Sequence, residues 1–290
     1  MDVVVGVEDS PSAAEAIRWG WRLADASGGS LRAVRAWMYG RLTALPGIER
    51  LPDPAEMDER TREEARRIVE DVLGSAPKVD VLVVRGPARH ALLAEISAHT
   101  PDLVVVGRRG LGPVDARLLG SVGRRLVEAA PCPVVLMPDR SSLSTADAPV
   151  LVVGLDGSEH STRALRVAAD IAEPLGGELV LAHVAGPAHH DAAGQAIPDS
   201  EGFEHPVLRA ASEMLAGRSI RHRGLLLWGD PRSALETAVE DLDADLLVLA
   251  ARGTGGISRL VLGSVSSYFV QHGQRPVAVV PPEGRVAGGT

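Results

Sequence analysis

Residues 102–122 read Asp102-Leu103-Val104-Val105-Val106-Gly107-Arg108-Arg109-Gly110, then nine residues, then Gly120-Ser121-Val122. Residues 245–265 read Asp245-Leu246-Leu247-Val248-Leu249-Ala250-Ala251-Arg252-Gly253, then nine residues, then Gly263-Ser264-Val265, 143 residues further on. Working outward, the starts also match. Val3-Val4-Val5-Gly6-Val7-Glu8-Asp9-Ser10 parallels Leu151-Val152-Val153-Gly154-Leu155-Asp156-Gly157-Ser158. Cys132-Pro133-Val134-Val135-Leu136-Met137-Pro138 parallels Arg275-Pro276-Val277-Ala278-Val279-Val280-Pro281. Solenoid repeats run at about 20–50 residues, so this period marks duplicated domains. The expected units are 1–138 and 150–282, with a polar linker at 139–149 and a tail at 283–290.

Each half alternates strand and helix. Val3–Val7 is an apolar run bounded by turn residues, the pattern of a strand buried on both faces. Ser10 caps a helix with Pro11 at its first position. Ala13, Ile17, Trp21 and Ala24 give that helix an apolar face, and Gly28-Gly29 ends it. Further strands are expected at 31–37, 79–84, 102–106 and 133–137, with helices at 55–73, 88–98 and 120–130. The second half repeats the order, with strands near 150–155, 178–184, 220–227, 245–249 and 276–280. This predicts an α/β fold of two tandem, doubly wound, parallel sheets, Rossmann-like. Ligands of such sheets sit at the carboxyl ends of the strands.

Composition narrows the function. Hydrophobic residues at 45% and charged residues at 23% describe a globular chain. A net charge of -8 argues against coating nucleic acid. No apolar run reaches the roughly 18 residues of a membrane helix, and no basic segment opens a secretory signal. A cytoplasmic protein is expected, and the one cysteine, Cys132, cannot form an internal disulfide.

The loop after the fourth strand suits a phosphate. Glycines let backbone N–H groups approach an anion. Gly120-Ser121 opens a helix whose first N–H groups favour negative charge, and Arg108, Arg109, Arg117, Arg124 and Arg125 surround it against one acid, Asp115. The Walker and dinucleotide glycine patterns are both absent.

These residues resemble the universal stress protein family in its tandem two-domain form. The shared pattern is Gly-x2-Gly-x9-Gly-Ser. The resemblance implies five parallel strands per domain in a HUP-type fold, and ATP, alone or with Mg²⁺, or another adenine nucleotide. It also implies domain pairing through the last strand. An intramolecular pseudo-dimer follows, with a homodimer open. By position, pocket one would use Gly6, Val7, Glu8, Ala36, Val106, Gly107, Arg109, Gly110, Gly120, Ser121 and Val122. Pocket two would use Gly154, Leu155, Asp156, Val184, Leu249, Ala250, Arg252, Gly253, Gly263, Ser264 and Val265. Both halves depart from the pattern: Glu8 replaces the usual aspartate, and Ala250 replaces the first loop glycine. The expectation is a competent first pocket and a weaker second, the methyl mattering only if φ is positive or the ligand packs there.

Other features read as structure. His189, His190 and Asp191, followed by His205, have no spacing that fixes a metal geometry and read as a solvated loop. His183 reads as a strand residue beside the pocket, Cys132 as a buried inert thiol. Trp19, Trp21, Trp37 and Trp228 read as packing residues. No catalytic triad and no metal site are expected. The readings left are three: an adenine-nucleotide-binding stress regulator acting on an unknown protein partner, a slow ATPase, or a scaffold with drifted pockets.

Overall fold

The computed structural model describes residues 1–39, 51–74, 78–109, 119–139, 148–186, 200–253 and 262–282. Linker positions 140–147 and the tail 283–290 lie outside them, as do Gly110, Asp115, Arg117, His189, His190 and Asp191. The first half runs β1 (Val3–Gly6), α1 (Pro11–Ala26), β2 (Leu31–Trp37), α2 (Pro54–Leu73), β3 (Asp80–Arg85), α3 (Ala88–His99), β4 (Leu103–Gly107), α4 (Ser121–Ala129), β5 (Val134–Met137). The second runs β6 (Val150–Leu155), α5 (Glu159–Ala172), β7 (Glu178–Val184), β8 (Ser200–Glu201), α6 (Pro206–Met214), β9 (Arg221–Leu227), α7 (Pro231–Asp241), β10 (Leu246–Ala250), α8 (Ser264–His272), β11 (Val277–Val280).

Local chemistry explains where helices begin. The Ser10 and Ser158 hydroxyls accept from the N–H groups of Ala13 and Ser161 at 3.2 and 3.1 Å, each satisfying a donor that the helix leaves free. Asp53 and Asp230 cap α2 and α7 in the same way. Pro11, Pro54, Pro206 and Pro231 stand in the first turn, where a missing N–H costs nothing. The aspartates that open the repeated motif also have structural work. Asp102 accepts from Asp2 N at 2.7 Å and Asp245 from Val150 N at 2.9 Å. Each fixes the amino edge of the neighbouring strand, opposite the glycine loop.

The strands form one eleven-stranded sheet in the order β3-β2-β1-β4-β5-β11-β10-β6-β7-β9-β8. Within each half the five long strands are parallel. The halves meet where β11 pairs antiparallel with β5, Val279 opposite Val134 and Val277 opposite Leu136. One further antiparallel pair, β8 on β9, lies in the segment expected to be loop. Because strand side chains alternate in face, the buried residues sort into two cores. Val3, Val5, Val105, Val135 and Ala278 pack with Ile17, Leu23, Val69, Leu165 and Leu208 of α1, α2, α5 and α6. Val4, Val104, Val134, Val277 and Val279 pack with Ile96, Leu126, Val239 and Phe269 of α3, α4, α7 and α8. Both cores continue across the seam, and helices cover both faces of a doubly wound sheet.

Candidate functional site

A cavity of about 530 Å³ opens at the carboxyl edge of the second half's strands, within the roughly 300–1,000 Å³ of ordinary small-molecule sites. All eleven second-half positions implied by the resemblance line it: Gly154, Leu155, Asp156, Val184, Leu249, Ala250, Arg252, Gly253, Gly263, Ser264 and Val265. The structure adds Ser161, Ala182, His183, Pro231, Leu235, Leu262 and Ser266. Strand alternation could have found Ala182, two residues before Val184. Pro231 and Leu235 come from α7 and carry no local signal.

The glycines have identifiable jobs. A Cβ on Gly154 would stand 2.6 Å from Leu249 Cδ2 and 3.6 Å from Leu235 Cδ1, so its absence lets β10 and α7 close over the end of β6. A Cβ on Gly253 would collide with the Asp156 carboxylate, which places that acid against the loop. Asp156 Oδ1 accepts from Ser158 N at 3.0 Å and from Ser158 Oγ at 2.6 Å. The turn into α5 thereby holds the carboxylate in place.

The start of α8 brings hydrogen-bond donors to the polar side of the cavity. Helix α8 starts at Gly263, which supplies no side-chain cap, and its first-turn residues Ser264, Val265 and Ser266 line the cavity. Uncapped N–H groups and the helix dipole favour an anion there. Gly263 N donates to Ala251 O at 2.7 Å and Ser266 Oγ to Ala250 O at 2.6 Å, so the helix start is fastened to β10. Arg252 adds a guanidinium whose buried Nε has no hydrogen-bond partner. Ala250 is an ordinary strand residue. Among the described residues only Thr100 and Asp243 are non-glycines with positive φ, so the methyl meets no conformational penalty.

His183 donates from Nδ1 to Leu155 O at 2.7 Å and stacks on His205, ring centroids 4.3 Å apart. His205 caps α6, its Nδ1 accepting from Val207 N at 3.3 Å. Burial, then the neighbouring His183, holds His205 below its ordinary value.

The first-half positions fall at the corresponding edge. Gly6 and Gly107 end β1 and β4, with Val106 one residue before, and a Cβ on Gly6 would meet Val106 and Leu92 at 3.2 and 3.3 Å, the counterpart of Gly154, Leu249 and Leu235. Val7 donates to Val34 O at 2.9 Å, Glu8 accepts from Ser10 Oγ at 3.1 Å, and Ala36 lies in β2. Gly120 begins α4 without a side-chain cap, followed by Ser121 and Val122. Two contacts distinguish this half. A Cβ on Gly107 would stand 2.6 Å from Ser12 Oγ, whose hydroxyl donates to Arg109 O at 3.2 Å. Arg109 Nη1 is paired with Asp139, whereas the matching place after β11 holds Pro282.

Among the described residues no group of three or more His, Cys, Asp or Glu could hold a metal, and no helix is long and apolar enough to cross a membrane. Burial pushes the Cys132 thiol up to about 12, which keeps it protonated and unreactive. Trp19 is in the core, and Trp37 Nε1 donates to Asp58 at 2.7 Å.

The profile of the universal stress protein family matches residues 1–138 and 149–281. A universal stress protein of Mycobacterium tuberculosis H37Rv is 30% identical over 298 residues, covering 96% of each chain. One from Mycolicibacterium smegmatis is 31% identical over 292 residues, covering 97% of each. The crystal structure of a universal stress protein from Archaeoglobus fulgidus superposes with a TM-score of 0.68 at 20% identity, covering 97% of this chain and 98% of that one.

Proposed function

The chain belongs to the universal stress protein family, and from that premise we propose that it is a cytoplasmic stress-response regulator whose second-half cavity binds an adenine nucleotide, ATP first. The observation that carries this reading is the cavity's division of labour. Leu155, Val184, Leu235, Leu249 and Val265 give it an apolar wall suited to a flat base. The Gly263-Ser264 helix start and the Arg252 guanidinium, both from residues of the lining, would supply donors suited to phosphate. Asp156, held by the Ser158 turn, would accept from a ribose hydroxyl. These residues fit the group. Bound there, the nucleotide would supply negative charge and a large buried surface, and the chain would supply orientation.

The preferred site is the second half. Arg109 is already paired with Asp139 in the first half, and an anion there would compete with that carboxylate. The pair is partly exposed, so breaking it costs at most about 1 kcal/mol. The first site is weakened, then, and not closed. A regulator is the reading preferred to an enzyme, because the loop from Ala250 to Gly263 carries no Gln, His, Asp or Glu to position or deprotonate a water.

Calorimetric titration of ATP into the full chain, with Arg252→Met alongside, tests the reading. The expected result is one strong site per chain, weakened about tenfold or more by Arg252→Met, the size of a lost charged hydrogen bond of about 1.5–3 kcal/mol. Absence of heat and of thermal stabilisation at millimolar ATP would reject nucleotide binding. Asp139→Asn should raise occupancy toward two nucleotides per chain, and an unchanged stoichiometry would reject the account of the first site.

A further inference from the structure

Among the described residues, the side chain of Arg108 crosses the seam between the halves. Arg108 lies between Gly107 and Arg109 in the first glycine loop, yet its residue is 6% exposed. Its backbone is clamped, the N–H donating to Met137 O at 2.7 Å and the carbonyl accepting from Gly120 N at 2.9 Å. Its side chain leaves the first half. Nη2 donates to Phe269 O at 3.2 Å, in the last turn of α8. The same carbonyl accepts from Gly273 N at 2.9 Å. Gly273 ends α8, and a Cβ on it would stand 3.2 Å from Arg108 Nη2, so the glycine makes room for the guanidinium.

This is a costly arrangement. A buried cation without a carboxylate partner pays desolvation, and Arg108 Nε has no hydrogen-bond partner. Burial, then the adjacent Arg109, lowers its pKa to about 10, with Asp139 acting the other way, so it stays charged at neutral pH. The negative end of the α8 dipole and the Phe269 carbonyl offset part of that cost. The second half does without it: the matching residue is Ala251, with the same backbone bonds, to Val280 O at 2.8 Å and from Gly263 N at 2.7 Å. The guanidinium is therefore an addition to a backbone frame that closes unaided.

Helix α8 has the second cavity at its start and Arg108 at its end. Nine residues separate them, a rod of roughly 14 Å. We infer that Arg108 is a positioning residue coupling the two halves: it ties the first glycine loop to α8, so that a change in that loop alters the ligand affinity of the second cavity. The coupling deepens the nucleotide reading and rests on it for its ligand. By linkage, ligand in the second cavity acts back on the first loop by the same factor.

A double-substitution cycle in the full chain tests this with and without ligand. Gly107→Ala perturbs the first loop, since its methyl meets Ser12 Oγ and Arg109 O. Arg108→Met keeps length and removes charge. The first readout is hydrogen exchange of the α8 amides, residues 264–272. Gly107→Ala should raise exchange there threefold or more in the presence of Arg108 and leave it unchanged in the Arg108→Met background. The second readout is ATP affinity of the same four proteins, where Gly107→Ala should shift the second-half dissociation constant threefold or more only when Arg108 is present. Equal effects in both backgrounds, or no effect on α8 in either, would overturn the coupling. A cycle that holds in exchange while no protein binds ATP would retain the coupling and reject the nucleotide reading. Should Gly107→Ala fail to fold, Ser12→Ala perturbs the same loop by removing its bond to Arg109 O, with the same expected and contrary results.

Discussion

Gly107 and Ala250 occupy matching positions and differ by one methyl group, and their surroundings explain both. At Gly107 a Cβ would be pressed into Ser12. The hydroxyl cannot retreat without giving up Arg109 O. At Ala250 the second half has His160 in place of Ser12, and its buried serine, Ser161, turns back to Ser158 O at 2.9 Å. Gly107→Ala should therefore cost about 1–3 kcal/mol by overpacking, read as a lower midpoint in chemical unfolding. Ala250→Gly should change ATP affinity less than threefold, and a large gain would show that the methyl does obstruct the ligand. His205 carries a pH prediction. Its folded pKa lies below the unfolded value of about 6.5. Its contribution to stability is then present above that pH and lost as pH falls through it toward the lower folded value. Protonation also takes the Nδ1 lone pair that caps α6. His205→Asn keeps an acceptor and removes the titration. Its thermal midpoint should fall less than that of the wild type between pH 7 and 5, and parallel profiles would contradict the assignment.

At the scale of elements, the site is made by terminations. Strands β6, β7 and β10 stop at one edge, and helices α5, α7 and α8 start there, which brings their free N–H groups to one place. Ser158 shows the dependence: it caps α5 and holds Asp156 at once. Ser158→Ala should cost about 1 kcal/mol in urea unfolding and weaken ribose-containing ligands more than inorganic phosphate. Equal weakening would remove Asp156 from the ribose role. The Ser10 cap, the strand lengths and the glycine loop were legible because each is set by residues within four or five positions. Strand β8 was not, because two residues between Asp199 and Gly202 acquire strand character only by pairing with Leu225 and Leu226.

At the scale of the whole molecule, the seam makes two halves one body. Strands β5 and β11 are buried on both faces, and each core contains residues of both halves. Thermal unfolding should accordingly be a single transition. Ala278→Asp would place a carboxylate opposite Val135 at a position 0% exposed. An uncompensated buried charge costs several kcal/mol, so the halves should then unfold in two steps, resolved by calorimetry. One lowered transition would mean that the halves depend on each other beyond this seam.

The sequence alone determined the duplication, the alternation of strand and helix and the Ser10 cap of α1, which follow from periodicity and from glycine, proline and capping chemistry, all of which act over short stretches of chain. The eleven positions around the second cavity were implied by the family resemblance, carried over residue by residue. Tertiary structure alone decided the register of β5 on β11, the entry of Pro231 and Leu235 into the lining, and the pairing of Arg109 with Asp139. It also sent Arg108 across the seam to a carbonyl 161 residues away. An arginine in a glycine loop has the same local pattern whether it faces a ligand or a neighbouring helix. Only the packing of the two halves, which sets what each guanidinium can reach and what it costs to bury, distinguishes them.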